Sequence, residues 1–241
     1  MTETRGPAAS LAEMPVEQLV PREGWGVLHL FWKLTPSSDP EGIAVAVKAA
    51  EGSGVQAVSF AVLGHKADLG LMLLGPDLVA LRKAQSALTL AGLELASSYV
   101  SLTEVSEYAR GMPPERLEPR LRPRLPPAGM RALCFYPMSK RRDATDNWYR
   151  LDYGTRLNLM HEHGASGRRF AGKVLQLITG STGLDDYEWG VTLFATTPDD
   201  LKECVHTMRF DEASARFADF GPFYTGVVAP VEEVLRLCGT A

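Results

Sequence analysis

The stretches "DLGLMLLGPDLVALRKA" (68–84) and "EWGVTLFATTPDDLKECV" (188–205) decide the fold, because one pattern occurs in both. An acid, one residue and a glycine lead into an apolar strand, and a Pro-Asp step before a leucine-containing run then starts a helix. The order of elements around them also matches. "GVLHLFWKLTP" (26–36) and "MRALCFYPMSK" (130–140) are β-rich runs that end at an aromatic and a proline or turn. The first half continues with a helical stretch, "PEGIAVAVKAAEGSG", and a strand, "VQAVSFAVLG". In the second, "NWYRLDYGTRLNLMHEHGASGRRF" reads as helix and "GKVLQLITGS" as strand. Each half therefore reads β-α-β-β-α. Two such ferredoxin-like repeats side by side predict an α+β protein with a dimeric α+β barrel-like fold.

Between the halves, "GMPPERLEPRLRPRLPPAG" (111–129) holds six prolines and four arginines, a composition expected to propagate neither a helix nor a central strand. The predicted organisation is an N-terminal extension (1–20), a first repeat (21–112), a Pro/Arg-rich linker (113–129) and a second repeat (130–241). The net charge of −4 over 241 residues argues against nucleic acid and anionic membranes as partners, so any anion site is local. Cys134, Cys204 and Cys238 are odd in number and form no CxxC pair, which excludes a disulfide framework or a thiolate zinc site. The first residues lack a secretory pattern and no run of 18 apolar residues occurs, so the expected location is cytoplasmic.

Chemistry concentrates in the second half. "MHEHGASGRR" sets His161 and His163 two apart, near a helix end with Gly164 as the expected C-cap. Two residues apart on a helix, the rings point to nearly opposite sides and do not share a metal. A histidine near a helix end is by itself more often a surface residue, and a tyrosine at a strand end, such as Tyr136, more often half-buried core. Lys140, Arg141 and Arg142 follow that tyrosine, with Arg168, Arg169 and Arg209 further on. Cations around an aromatic, apolar pocket are what a ligand with several carboxylates demands. "TGSTGLDDYEWG" lacks the spacing of a phosphate loop and reads as a turn.

Together, "FYPMSKRR", "NWY", a His-Gly pair 27 residues after Tyr136, "VLQLITGSTGLDDYEWGVTLF" and "MRFDEASARF" resemble the coproheme decarboxylases of the chlorite dismutase superfamily. The resemblance is dense over 130–226; the first half shares only the order of elements. It implies a haem-binding second repeat, a first repeat without cofactor and a homopentameric ring. The implied substrate and redox cofactor is iron coproporphyrin III (coproheme), two of whose propionates hydrogen peroxide converts to vinyls, giving haem b in haem biosynthesis. A transient contact with the preceding ferrochelatase goes with that role.

Carried over by residue, the resemblance makes His163 the iron ligand and Tyr136 the radical-forming residue beside a reactive propionate. It puts Lys140, Arg209 and Ser214 at the propionates, and Met138 and Trp189 in the pocket. Chlorite-decomposing relatives carry a distal arginine where this chain has Gln176, which disfavours chlorite chemistry. Actinobacterial-type decarboxylases carry a distal histidine in an "RLHP"-like motif; here the text is "RLEP". Glu118 is then either a replacement base in an apolar cavity or a solvent-facing linker residue. Alternatives to the decarboxylase are a haem peroxidase or chlorite-decomposing enzyme, and a haem-binding or delivery protein without turnover.

Overall fold

The computed structural model describes residues 17–109 and 111–240; the rest of the expected N-terminal extension, residues 1–16, lies outside the described residues. The first repeat runs β1 (Gly26–Lys33), α1 (Pro40–Gly52), β2 (Gln56–Val62), β3 (Leu69–Gly75), α2 (Leu78–Leu90) and β4 (Glu94–Leu102). After α3 (Pro114–Leu121), the second runs β5 (Ala132–Lys140), α4 (Tyr153–Arg168), β6 (Val174–Gly180), β7 (Trp189–Ala195), α5 (Pro198–Met208), α6 (Glu212–Ala215), β8 (Ala218–Phe220) and β9 (Tyr224–Val228), with α7 (Val231–Leu237) last. Helix starts follow from side chains that accept the first free amides: Asp39, Asp77, Asp152 and Thr197 cap α1, α2, α4 and α5.

Each repeat gains a last strand that the sequence pattern did not announce. β4 carries Ala96-Ser97-Ser98 and is largely exposed over its first half, so it lacks the apolar alternation that marks a half-buried strand. The Pro/Arg-rich segment also differs from expectation, since it forms the short helix α3. Pro114 sits in its first turn, where no amide is needed, and the helix ends two residues after Pro119; none of its side chains is buried.

The repeats order their strands as β4-β1-β3-β2 and β6-β7-β5-β9, with β8 at the end of β5. They join through β2–β9 and, at Leu102 and Gly180, through β4–β6, which closes an eight-stranded barrel. Period-two alternation divides every strand between two environments. Val27, His29 and Phe31 of β1 and Leu133 and Phe135 of β5 point into the barrel, where Phe31 stacks on Tyr224 at 3.7 Å and His29 on Phe135 at 4.0 Å. Leu28, Leu30 and Trp32 face outward into a core sealed by α1, α2 and α7. The equivalent residues of β5, Cys134, Tyr136 and Met138, face outward under the helices of the second repeat. Leu30 and Tyr136 are both the fifth residue of their strands.

His29 ties the halves together inside the barrel, with Nε2 2.9 Å from Thr192 Oγ1 of β7. It is fully buried, and that burial lowers its pKa from an ordinary 6.5 to about 3. The unfolded chain takes up a proton at this residue below about pH 6.5, whereas the folded chain resists until about pH 3, so stability is lost as pH falls through that window. Urea midpoints between pH 8 and 4 should show the loss. His29→Gln should be ~1–3 kcal/mol less stable at pH 8, yet lose less than the parent on acidification.

Candidate functional site

The site forms where the second repeat fails to close on itself. α1 buries Ile43, Ala44, Ala46, Val47 and Ala50 against the sheet, whereas none of the 16 residues of α4 is fully buried. The inward line of α4, at helical spacing, is Met160, His163, Gly164 and Gly167. Two glycines and a histidine cannot fill the space that aliphatic side chains would. The helix rests mainly on α5 and α6 and stands off the sheet. Beneath it, Ile178 in the middle of β6 is 46% exposed, although neighbouring Leu177, turned into the barrel, is buried. Gly164 does not end the helix as expected; α4 continues to Arg168, which places His163 within it rather than at its cap.

His163 Nδ1 lies 3.0 Å from an Asp211 carboxylate oxygen and 3.4 Å from Ser214 Oγ. Asp211 is the buried N-cap of α6 and also accepts from the Ser214 amide. Burial alone would raise its carboxyl pKa, but hydrogen bonds from His163 and Ser214 outweigh it and hold the carboxyl below the usual range. With Nδ1 engaged, Nε2 is the nitrogen left for a ligand. His161 is exposed on another face of the helix. No group of three or more metal-ligating side chains exists among the described residues, so a bare ion has no cage. A single histidine suits a metal that brings its other ligands with it, as iron in a porphyrin does.

On the sheet, strand register aligns the outward residues into rows. Tyr136, Val191 and Ile178 form one; Cys134, Leu193 and Gln176 form the next. Gln176 thus shares the face of Tyr136 from two strands away, about 10 Å. Its Nε2 is 3.5 Å from Cys204 Sγ, and a side chain at Gly167 would come within 3.3 Å of the same nitrogen, so this amide spans from sheet to helix. Tyr136 is 8% exposed and stacks on Phe223 with centroids 4.4 Å apart. Its hydroxyl has no hydrogen-bond partner among the described residues. Burial pushes the phenol pKa well above its ordinary value, with Arg209 pulling weakly the other way. Met138 pairs with Trp189, one row further along.

Lys140 is a buried cation without a carboxylate in ion-pair reach among the described residues. Its Nζ donates to the Ala213 carbonyl at 2.9 Å and lies 4.2 Å from the Trp148 ring centre. Burial lowers its pKa to about 8, against the pull of Asp211 and Glu188. Arg209 is exposed at the end of α5, its guanidinium 3.8 Å from the Phe220 ring centre, and Ser214 is buried beside His163. The other cations expected with Lys140 are engaged elsewhere: Arg141 pairs with Asp219 and Asp143, and Arg142 lies 3.9 Å from Glu188.

Glu118 requires a correction. Its side chain is 59% exposed on α3 and both its oxygens accept from Arg122 one turn on, at 2.7 and 3.0 Å. An exposed carboxylate paired with Arg122 fits the solvent-facing reading of Glu118 and not that of a base in an apolar cavity. Sequence reasoning missed Asp211, whose signal was there in "DEAS", an aspartate three residues before a serine at a helix start. It also missed Phe223 and the Trp148–Ala213 cage; nothing in the local pattern announces contacts made across 73 residues.

Comparison with known proteins follows this geometry. Residues 40–229 match the family described as chlorite dismutase. A coproheme decarboxylase of Thermus thermophilus is 40% identical over 89% of this chain and 93% of its own. One of Staphylococcus carnosus is 41% identical over 87% and 94%. Among solved structures, a haem-binding protein of Thermus thermophilus superposes with a TM-score of 0.80 at 38% identity, over 94% of this chain and 99% of the other. A chlorite dismutase variant of Candidatus Nitrospira defluvii has a TM-score of 0.72 at 19% identity, a likeness of fold, over 91% and 97%.

The buried ammonium of Lys140 gives a direct test of this geometry. The unfolded chain holds that proton up to about pH 10.5 and the folded chain releases it near 8, so the protein should gain stability as pH rises between the two. Lys140→Met should abolish the gain and, at pH 7, raise stability by about 1–3 kcal/mol, measured by chemical denaturation of the ligand-free protein.

Proposed function

This chain belongs to the chlorite dismutase family, and from that premise we propose that it is a coproheme decarboxylase that uses hydrogen peroxide to turn two propionates of iron coproporphyrin III into vinyls, yielding haem b. The observation that carries this reading is the open flank of the second repeat: a histidine-bearing helix stands over a sheet face holding a phenol that has no partner among the described residues, with a buried ammonium that has no carboxylate partner among them further along the same strand. A haem-delivery protein has use for the histidine but not for that phenol. Gln176, where chlorite-decomposing relatives have arginine, does not favour chlorite as the oxidised substrate.

The residues present fit the substrate. His163 would hold the iron through Nε2, with Asp211 fixing the ring's orientation and tautomer. Lys140, Arg209 and Ser214 would take carboxylates, and Lys140 would exchange a carbonyl and a ring for a true counter-ion. Met138, Trp189 and Ile178 offer apolar contact to the macrocycle. Gln176 can orient peroxide by hydrogen bonding but cannot take its proton near neutral pH. Iron bound at His163 supplies the oxidising power, drawn from peroxide.

The phenol of Tyr136 then gives up its hydrogen atom, and its oxygen recovers one from the propionate β carbon. The bond to the carboxylate breaks and carbon dioxide leaves, and the electron released then, together with the hydrogen atom, makes the two equivalents that one peroxide takes up. Each propionate, with one peroxide and one proton, gives a vinyl, carbon dioxide and two waters. The stack on Phe223 fixes the phenol ring, while the lack of a partner leaves its hydroxyl free to face the substrate. A homopentameric ring and receipt of substrate from the preceding ferrochelatase, which rest on the family resemblance, and a cytoplasmic location, which rests on the sequence pattern, complete the reading.

Titration of the ligand-free protein with iron coproporphyrin III and then peroxide should give, by mass spectrometry, two successive losses of carbon dioxide plus two hydrogens. Unchanged porphyrin would contradict the reading. Tyr136→Phe should bind coproheme within a few-fold of the parent and lose about 100-fold or more in decarboxylation rate, ~3 kcal/mol of barrier. His163→Ala should lose histidine ligation in absorption spectra while His161→Ala keeps it; the reverse pattern would reassign the ligand.

A further inference from the structure

The first repeat contributes a carboxylate to the open face. Residues alternate outward along β4 at Val100 and Leu102, and Leu102 pairs with Gly180 of β6. Continuing outward, Glu104 lies two residues beyond Leu102, and its carboxylate sits on the outer face of Gly180: a Cβ built there would collide with both its oxygens. The glycine is therefore what admits the acid onto the sheet. Its carboxylate thus lies beside the Gly180 end of β6, two residues from Ile178 in the row Tyr136–Val191–Ile178, on the far side of the site. The row spans two strand spacings, about 10 Å, and ends at the uncovered Ile178.

Glu104 has no salt-bridge or hydrogen-bond partner among the described residues. β6 turns Gly180 toward it, and among the described residues the charge that acts on it is like-signed, Glu23, from the segment before β1. Partial burial and then Glu23 both raise its pKa above the usual carboxylate range.

We propose that Glu104 faces a substrate propionate across the site from Tyr136 and shares a single proton with it, a carboxylic acid donating to a carboxylate. Two carboxyls this close cannot both ionise, so the pair takes up a proton when the substrate binds. The first repeat then reads the substrate's periphery while the second holds its iron and its reacting edge. This rests on the proposed function, and the test separates the two.

Metal-free coproporphyrin III is titrated into the full-length protein by fluorescence between pH 5.5 and 7.5, where Lys140, with a pKa of about 8, is mostly protonated in parent and variants alike. The parent should bind more weakly as pH rises, by up to tenfold per pH unit for one linked proton. Glu104→Gln, whose amide donates a hydrogen bond without needing a proton, should bind with a flat profile and more tightly than the parent at pH 7.5. Glu104→Ala should flatten the profile without that gain. Identical profiles for parent and Glu104→Gln, or a uniform weakening in Glu104→Gln at every pH, overturn the proposal. No binding of coproporphyrin III by the parent contradicts the proposed function itself.

Discussion

The functional half of this protein depends on a failure of packing. A helix over a sheet normally buries an aliphatic stripe, as α1 does with Ile43, Val47 and its alanines. α4 turns Met160, His163, Gly164 and Gly167 inward and is held by its ends and neighbours instead. Asp152 caps its first turn, and Arg156 reaches Glu107 and the Tyr108 hydroxyl on the loop after β4. Asp211 holds His163 from α6. These polar ties set the position of the helix without filling the space beneath it, and that space is the proposed site.

Such an opening is tolerable because the barrel does not rely on it. Its interior is closed by aromatic stacks and by side chains from both repeats, and α1, α2 and α7 cover the core on the outer face of the first repeat. The two repeats thus divide the work at matching positions. Leu30 fills core where Tyr136, fifth in its own strand, meets an open flank. Trp32 likewise is fully buried where Met138, seventh in its own strand, stays partly exposed. The same topology yields one structural half and one chemical half through the identity of a few outward side chains and two glycines.

The duplicated strand-to-helix pattern made the fold legible, because Asp-x-Gly and Pro-Asp signals are local and both copies kept them. What was lost depended on distance or context. β4 shows no alternation, since its first half is an exposed edge, and α3 tolerates its prolines because it is short and solvated. Gly164 looked like a helix end but lies inside α4, which runs on to Arg168. His163, Tyr136, Gln176 and Lys140 were singled out by motif, and they lie on α4 and on the outward faces of β5 and β6. Glu118 was expected near them from the alignment of four letters, yet pairs with Arg122 at the surface. Glu104 went unnoticed because only the pairing of β4 with β6 carries it onto the second repeat.

The central claim is that substrate enters between α4 and the outer face of β6. Amide hydrogen exchange, followed with and without iron coproporphyrin III, measures this most directly. Protection should rise along α4 from about Leu159 to Arg168 and at the loop carrying Asp211, with α1 and α7 unchanged, because an unsupported helix gains a surface to rest on. Protection appearing instead at α1 and α7, with α4 exchanging as before, would contradict it.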